Sequence, residues 1–326
     1  MWCAPPAERY KKQYGTYRNI DHQMLQLPPY LTKGDTIGIT CPAGFMALEK
    51  VETCIHTLQK WGFEVKTGET VGGSSSTYFS GTDEQRLADL QQMLNDDSIH
   101  AVLCGRGGYG VSRIIDRIDF RKFRKKPKWV IGFSDITVLH AHINTRYKIS
   151  TLHAPMAGAF NDNGYRTKYV NSLRDALTGM KASYTTAAHA LNRAGEVRGQ
   201  LIGGNLSLLA HLVGSDSDID TRGKILFIED VGEYLYAVDR MLLQLKRSGK
   251  LSQLAGLIVG GFSDMKDTER PFGKKIYPIV QDVISEYKYP VCMNFPVSHT
   301  RRNYALKCGV EYRLAIHKKG VTLAEL

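Results

Sequence analysis

No stretch of the 326-residue chain approaches the roughly eighteen consecutive apolar residues of a membrane-spanning helix. None of the six cysteines forms a C-x-x-C pair, and no H-E-x-x-H occurs. His140 and His142, two residues apart, fall on different helix faces. These absences remove the common zinc signatures, and no metal is expected. Thirty-one glycines and eleven prolines are too few for a low-complexity chain, and a 43% apolar share is enough for a core. Disordered, collagen-like and coiled-coil classes are therefore excluded. There is no internal repeat of solenoid length. Residues 1–27 are polar, lack the apolar centre of an intact secretory signal, and are expected to be a poorly ordered extension.

What is present is a basic, mixed chain. Lys and Arg outnumber Asp and Glu by 43 − 32, a formal net charge of +11. This permits an anionic partner without naming one. Several cysteines sit inside apolar runs, as small buried hydrophobes do in a reducing compartment.

Strands and helices alternate along the first half. Thr36-Ile-Gly-Ile-Thr40 reads as a buried strand and residues 48–61 as an amphipathic helix. Residues 63–66 form a second strand and residues 83–94 a second helix. Ala101-Val-Leu-Cys104 and Trp129-Val-Ile-Gly132 are third and fourth strands, with a helix over 111–118 between them. Such alternation implies right-handed crossovers and a parallel sheet. Residues 161–195 read as a polar connection between an N-terminal domain, 28–160, and a C-terminal domain, 196–326. The second unit has strands at 224–228 and 257–259, helices at 235–248 and 277–287, and terminal strands after Tyr312.

The strongest local signal is Gly132-Phe-Ser-Asp135, where an apolar strand runs into the helix beginning near Ile136. A serine at such an elbow has an exposed hydroxyl and a strained backbone. The Asp135 N–H would face an oxyanion formed there. Ile136 stands where the usual elbow has its second glycine, and a plain helix N-cap explains the same residues. Gly261-Phe-Ser-Asp264 repeats the tetrapeptide but leads into a charged, proline-terminated segment, so Ser263 reads as a loop or cap residue.

Gly105-Arg-Gly-Gly-Tyr-Gly110 follows the third strand. A dinucleotide cradle would need it on the first strand, with an acid closing the second. A second oxyanion donor, from Gly108, and a structural turn are the alternatives. His299 and His153, both in loops, compete as base, and Glu229 and Glu233 compete as orienting acid. The run Arg121-Lys-Phe-Arg-Lys-Lys-Pro-Lys128 carries six cations, which reads as a solvated connector; its single aromatic argues against a nucleic-acid reader.

Together, Gly38-Ile-Thr-Cys-Pro-Ala-Gly44, Gly105–Gly110, Ile131–Asp135, Leu152-His-Ala-Pro155, Gly203-Gly-Asn-Leu206, Phe227-Ile-Glu-Asp230, Asp239-Arg-Met-Leu242 and Ser298-His299 resemble the LD-carboxypeptidase family. That family includes muramoyl-tetrapeptide carboxypeptidases and microcin C self-immunity proteins, and the resemblance spans about residues 30–320. It implies an α/β fold: an N-terminal parallel-sheet domain with a nucleophile elbow, a C-terminal α/β domain, and an active site in the cleft between them. It assigns Ser134 as nucleophile, Glu229 as orienting acid, His299 as general base, and the N–H groups of Asp135 and Gly108 as oxyanion hole. Arg106 is the candidate for holding the substrate carboxylate. The resemblance further implies a cytoplasmic homodimer acting on murein-derived peptide in cell-wall recycling, without cofactor, nucleic acid or membrane. Cleavage of peptidyl-nucleotide conjugates is the alternative activity, and a nucleotide- or nucleic-acid-binding module the remaining one. Two departures, Ser298 for a glycine and Leu306-Lys-Cys-Gly309 for Leu-Pro-Leu-Gly, are expected to lie near the cleft and to bear on specificity.

Overall fold

The computed structural model describes residues 25–73 and 75–326. The first unit contains strands β1 (Thr36–Thr40), β2 (Glu64–Thr67), β3 (Ile99–Cys104), β4 (Trp129–Gly132) and β5 (Thr151–His153). Between and after them run helices α1 (Glu52–Lys60), α2 (Asp83–Asn95), α3 (Arg121–Lys125), α4 (Thr137–Tyr147) and α5 (Lys168–Leu177). The second unit contains β6 (Ser183–Ala187), β7 (Gly195–Asn205), α6 (Leu206–His211), β8 (Ile225–Val231), α7 (Leu235–Arg247), β9 (Gly256–Ser263), α8 (Ile276–Val283) and β10 (Val291–Met293). It ends with β11 (Leu306–Cys308), β12 (Glu311–His317) and β13 (Gly320–Glu325).

Two mixed sheets result. The first has the order β11-β5-β4-β3-β1-β2, parallel except for β11 at its edge. The second has the order β10-β9-β8-β7-β12-β13-β6, with β7 to β10 parallel and the remaining strands antiparallel. β1, β3 and β4 are buried along nearly their whole length, which is why their apolar runs do not alternate. One buried cluster joins Ile136 and Leu139 of the elbow region to Leu206, Leu209 and Ile228 of the second unit, so the two sheets share a core.

Several elements differ from the sequence reading. Residues 161–195 are more than a connection. α5 buries Val170, Leu173, Ala176 and Leu177 against the first unit, and β6 edges the second sheet. The stretch 111–118 forms two short 3-10 turns instead of a helix. Of the expected 1–27 extension, residues 1–24 lie outside the described residues. Gln26 is held in place, its N–H on the Lys148 carbonyl and its carbonyl on the Ser150 N–H.

Lys307 sits in β11, where it braces the two sheets. Its ammonium is buried between both carboxylate oxygens of Glu325 in β13, at 2.9 and 3.1 Å, and lies 4.7 Å from the Tyr30 ring centroid. Its side chain therefore packs between the sheets and does not face a cleft. The basic run is equally committed. Lys122, Lys126 and Lys128 donate to the carbonyls of Asn95, Asp97 and Asp96 at the end of α2. Unpaired C-terminal carbonyls and the negative end of the helix dipole both favour cations there. Among the described residues, no helix is long and apolar enough to cross a membrane.

Candidate active site

β4 delivers the chain to Ser134. Gly132, at φ 157°, leaves no room for a Cβ, which would come 2.8 Å from Ile136 Cγ1. Phe133 is extended, and Ser134 then turns to φ 64°, left-handed backbone that a side chain rarely adopts. A 3-10 turn, Ser134–Ile136, leads directly into α4. Residues 137–144 of that helix are all buried, so the turn stands on a fixed base. His140, on α4, donates to the Gly132 carbonyl at 2.8 Å, and burial holds it at a pKa of about 4. Ser263, by contrast, ends the extended strand β9, and the left-handed residue beside it is Asp264.

The glycine loop lies against this turn. A Cβ on Gly107 would meet Ser134 Cβ at 2.8 Å, its Oγ at 3.0 Å and the Asp135 nitrogen at 3.3 Å. Gly107, passed over in favour of Gly108 in the sequence reading, is thus the glycine in contact with the serine. Its carbonyl accepts the Gly44 N–H at 3.0 Å. In a trans peptide the N–H points opposite the carbonyl, so the Gly108 N–H is turned away from residue 44. Gly108 itself stands at φ 102°, beside the Tyr78 hydroxyl. The Asp135 N–H opens the 3-10 turn, where helical N–H groups lack internal acceptors. The Asp135 carboxylate faces inward instead. It accepts the Val111 N–H at 2.8 Å, and burial raises its pKa to about 6 against the opposing pull of that N–H and of Arg86.

Glu229 and His299 are brought together from separate elements. Glu229 is fully buried on β8 at a register shift against β9, a bulge that re-aims a side chain. His299 follows β10 in a loop, and its Nδ1 lies 2.6 Å from Glu229 Oε2. Two glycines of β9 admit the loop. A Cβ on Gly260 would overlap the Val297 carbonyl at 2.2 Å, and one on Gly261 would meet Ser298 Cβ at 2.6 Å. Ser298 is nearly buried and hydrogen-bonds Thr300 and the Arg302 carbonyl, which shapes the turn carrying the histidine. Burial pulls the His299 pKa down, but the Glu229 hydrogen bond and charge, with Asp230 adding, outweigh it and leave it raised. The Phe133 ring meets the His299 ring edge-on at 4.9 Å. Among the described residues, His299 Nε2 has no hydrogen-bond partner, Ser134 Oγ included.

The competing candidates are placed elsewhere. His153 is fully buried against Phe227 and Phe133, at 5.0 and 5.8 Å, and burial drives its pKa far down. It is paired with no acid among the described residues. Glu233 lies in the loop before α7 and pairs with no histidine among the described residues. Arg106 lines a cavity of about 580 Å³ together with Phe133, His299 and Arg301, while its Nη1 donates to the Phe45 carbonyl at 2.8 Å.

The sequence reading did not single out the Asp230–Asn205–Thr137 chain. Asp230, buried and raised to about 6 chiefly by desolvation, accepts from Asn205 Nδ2 at 2.8 Å. The Asn205 N–H donates to Thr137 Oγ1 at 3.1 Å, tying β7 to the first turn of α4. Gly204 is necessary there, since a Cβ would meet Thr137 Oγ1 at 2.5 Å. The Gly-Gly-Asn spelling was the available signal. Among the described residues, no cluster of His, Cys, Asp and Glu is arranged to hold a metal.

The chain is similar to known proteins over most of its length. Residues 37–154 match the LD-carboxypeptidase N-terminal domain and residues 198–314 the LD-carboxypeptidase C-terminal domain. A probable murein peptide carboxypeptidase of Bacillus subtilis is 37% identical over 289 residues, covering 87% of this chain and 90% of the relative. A murein tetrapeptide carboxypeptidase of Pseudomonas aeruginosa is 30% identical, covering 84% and 91%. The crystal structure of muramoyltetrapeptide carboxypeptidase from Oxalobacter formigenes superposes with a TM-score of 0.81 at 28% identity, covering 89% of this chain and 98% of that one. The chain belongs to the LD-carboxypeptidase family and is a serine carboxypeptidase.

Proposed function

We propose that this enzyme releases the terminal D-alanine from murein tetrapeptide stems, with Ser134, His299 and Glu229 as its catalytic residues. The observation that carries the reading is Phe133. Its backbone hands the chain to Ser134 while its ring lies against His299. Phe133 thereby links the nucleophile to the base, Phe133 and His299 both line the cavity, and Glu229 stands behind the base.

The chemistry follows from the donors and acceptors. Glu229 accepts the Nδ1 proton and so leaves Nε2 of neutral His299 as the acceptor. His299 takes the Ser134 proton as Oγ attacks the carbonyl preceding D-alanine. The Gly108 and Asp135 N–H groups receive the oxyanion, each contributing about 3–4 kcal/mol in sites of this kind. Collapse of the tetrahedral intermediate breaks the C–N bond, and the imidazolium gives its proton to the departing amine. Water then cleaves the acyl-serine by the same route. Arg106 is the proposed partner of the substrate's terminal carboxylate.

We place the reaction in the cytoplasm. The thiols of Cys41, Cys54, Cys104, Cys292 and Cys308 are all buried and unpaired, as in a reducing compartment. The homodimer implied by the family resemblance belongs to the same proposal and is checked by sedimentation equilibrium.

The test is D-alanine release from a tetrapeptide stem. Ser134→Ala is expected to abolish it, and Ser263→Ala to leave it unchanged. Full activity in Ser134→Ala overturns the assignment. Turnover confined to a peptidyl-nucleotide conjugate overturns the substrate.

A further inference from the structure

Behind the glycine loop lies a buried cation that the reaction scheme does not use. Arg86, on α2, is 0% exposed. Its Nη1 donates to the Pro42 carbonyl at 2.6 Å and to the Gly110 carbonyl at 3.0 Å. Its Nε reaches the Gly81 carbonyl at 3.4 Å, its Nη2 pairs with Asp83, and its guanidinium covers the Phe79 ring at 4.8 Å. A fully buried charge is costly unless its surroundings use every donor. Here the surroundings are almost entirely acceptors, and guanidinium is the side chain that offers a planar fork of donors and no acceptor.

The two carbonyls shared by Nη1 belong to the two loops around the serine. Pro42 is two residues from Gly44, whose N–H holds the Gly107 carbonyl. Gly110 closes the glycine loop. At φ 147°, a Cβ there would come 2.6 Å from Nη1, so the backbone is drawn onto the guanidinium. On the next residue, the Val111 N–H is fixed by the Asp135 carboxylate. The peptide between Gly107 and Gly108 is thus suspended between two anchors, Arg86 through both loops and Asp135 through the elbow.

We propose that Arg86 is a positioning residue for the oxyanion hole: by gripping the Pro42 and Gly110 carbonyls together it sets the direction of the Gly108 N–H toward the reacting carbonyl. The inference rests on the reading of Ser134 as nucleophile and Gly108 as donor. Such a role acts on the transition state far more than on bound substrate. Arg86→Lys keeps the charge but lacks the fork, and is expected to lower kcat about 10–100-fold. Arg86→Met is expected to approach the roughly 10²–10³-fold loss of a deleted oxyanion donor.

Both variants are first checked for a cooperative thermal transition, and Arg86→Lys carries the test if Arg86→Met is not folded. Steady-state kinetics are then measured on a tetrapeptide stem, together with binding of a peptide boronate ending at the third stem residue and of uncleavable stem in a Ser134→Ala background. The expected result is an unchanged KM, unchanged stem binding, and boronate affinity falling in step with kcat. Equal losses of stem and boronate affinity would reduce Arg86 to general scaffolding and overturn the inference. So would wild-type kcat in a folded variant. If Ser134→Ala retains activity, the nucleophile reading fails instead, so the two failures are distinguishable.

Discussion

Glu229→Gln separates the orienting carboxylate from its shape. The substitution keeps the volume beside His299 but removes the charge that Nδ1 meets at 2.6 Å. Glu229 is 0% exposed and His299 largely enclosed, so water cannot replace the lost partner. Breaking a buried, hydrogen-bonded ion pair costs about 3–5 kcal/mol. In the proposed mechanism the cost falls on the imidazolium formed as Ser134 is deprotonated. It converts to a loss of about 10²–10⁴-fold in kcat. The pH profile carries a second signature. In the proposed mechanism activity requires neutral His299, so kcat/KM rises through its pKa, which lies above the ordinary value of 6.5. Without Glu229 the raising influences are largely gone and burial, which lowers it, dominates. The acidic limb must therefore move to lower pH even as the plateau falls. D-alanine release, followed by a coupled D-amino-acid oxidase assay across the acidic and neutral range, measures both. A limb that stays in place, or a rate within about tenfold of wild type, would refute the reasoning.

Gly107→Ala places a methyl 2.8 Å from Ser134 Cβ without a forbidden φ. Activity is expected to fall more than about 100-fold, with the forced shift of the Ser134 turn also costing about 1–3 kcal/mol of stability; activity within about tenfold of wild type would contradict this. Lys307→Met leaves the buried Glu325 carboxylate unpaired and should destabilise the fold by about 3–5 kcal/mol in denaturant titrations. Adding Glu325→Leu should restore most of that loss, and a single variant as stable as wild type would contradict the brace. Arg106→Gln should raise KM about 10–100-fold, the worth of a charge-assisted hydrogen bond, with kcat little changed. An unchanged KM would direct attention to Arg301 on the same cavity wall.

The strands that build the first sheet were legible because burial on both faces leaves unbroken apolar runs at residues 36–40, 101–104 and 129–132. β7 was not legible. Its first half alternates half-buried and exposed residues along an antiparallel pairing with β12, while its second half is buried beside β8, so no single period describes it. β11 was missed for another reason. A three-residue strand that crosses to the other sheet is decided by partners far away in sequence. That crossing also explains why Lys307 turned out to be a brace between sheets, although its motif suggested the cleft. Around the site, a serine entering a helix from a strand and an acid closing a strand could be read from residue types. The choice of His299 over His153 could not, since it depends on which ring reaches Glu229 and which is enclosed by Phe133 and Phe227. Gly260 and Gly261 were likewise silent, because what they accommodate is a loop more than thirty residues away.

The most direct test of the central claim is to find where a serine-directed fluorophosphonate attaches. Intact-mass and peptide mapping should show one label, on Ser134, slowed by tetrapeptide stem and nearly lost in His299→Ala. A label on Ser263 or any other residue, or undiminished labelling of Ser134 without the histidine, would contradict the account.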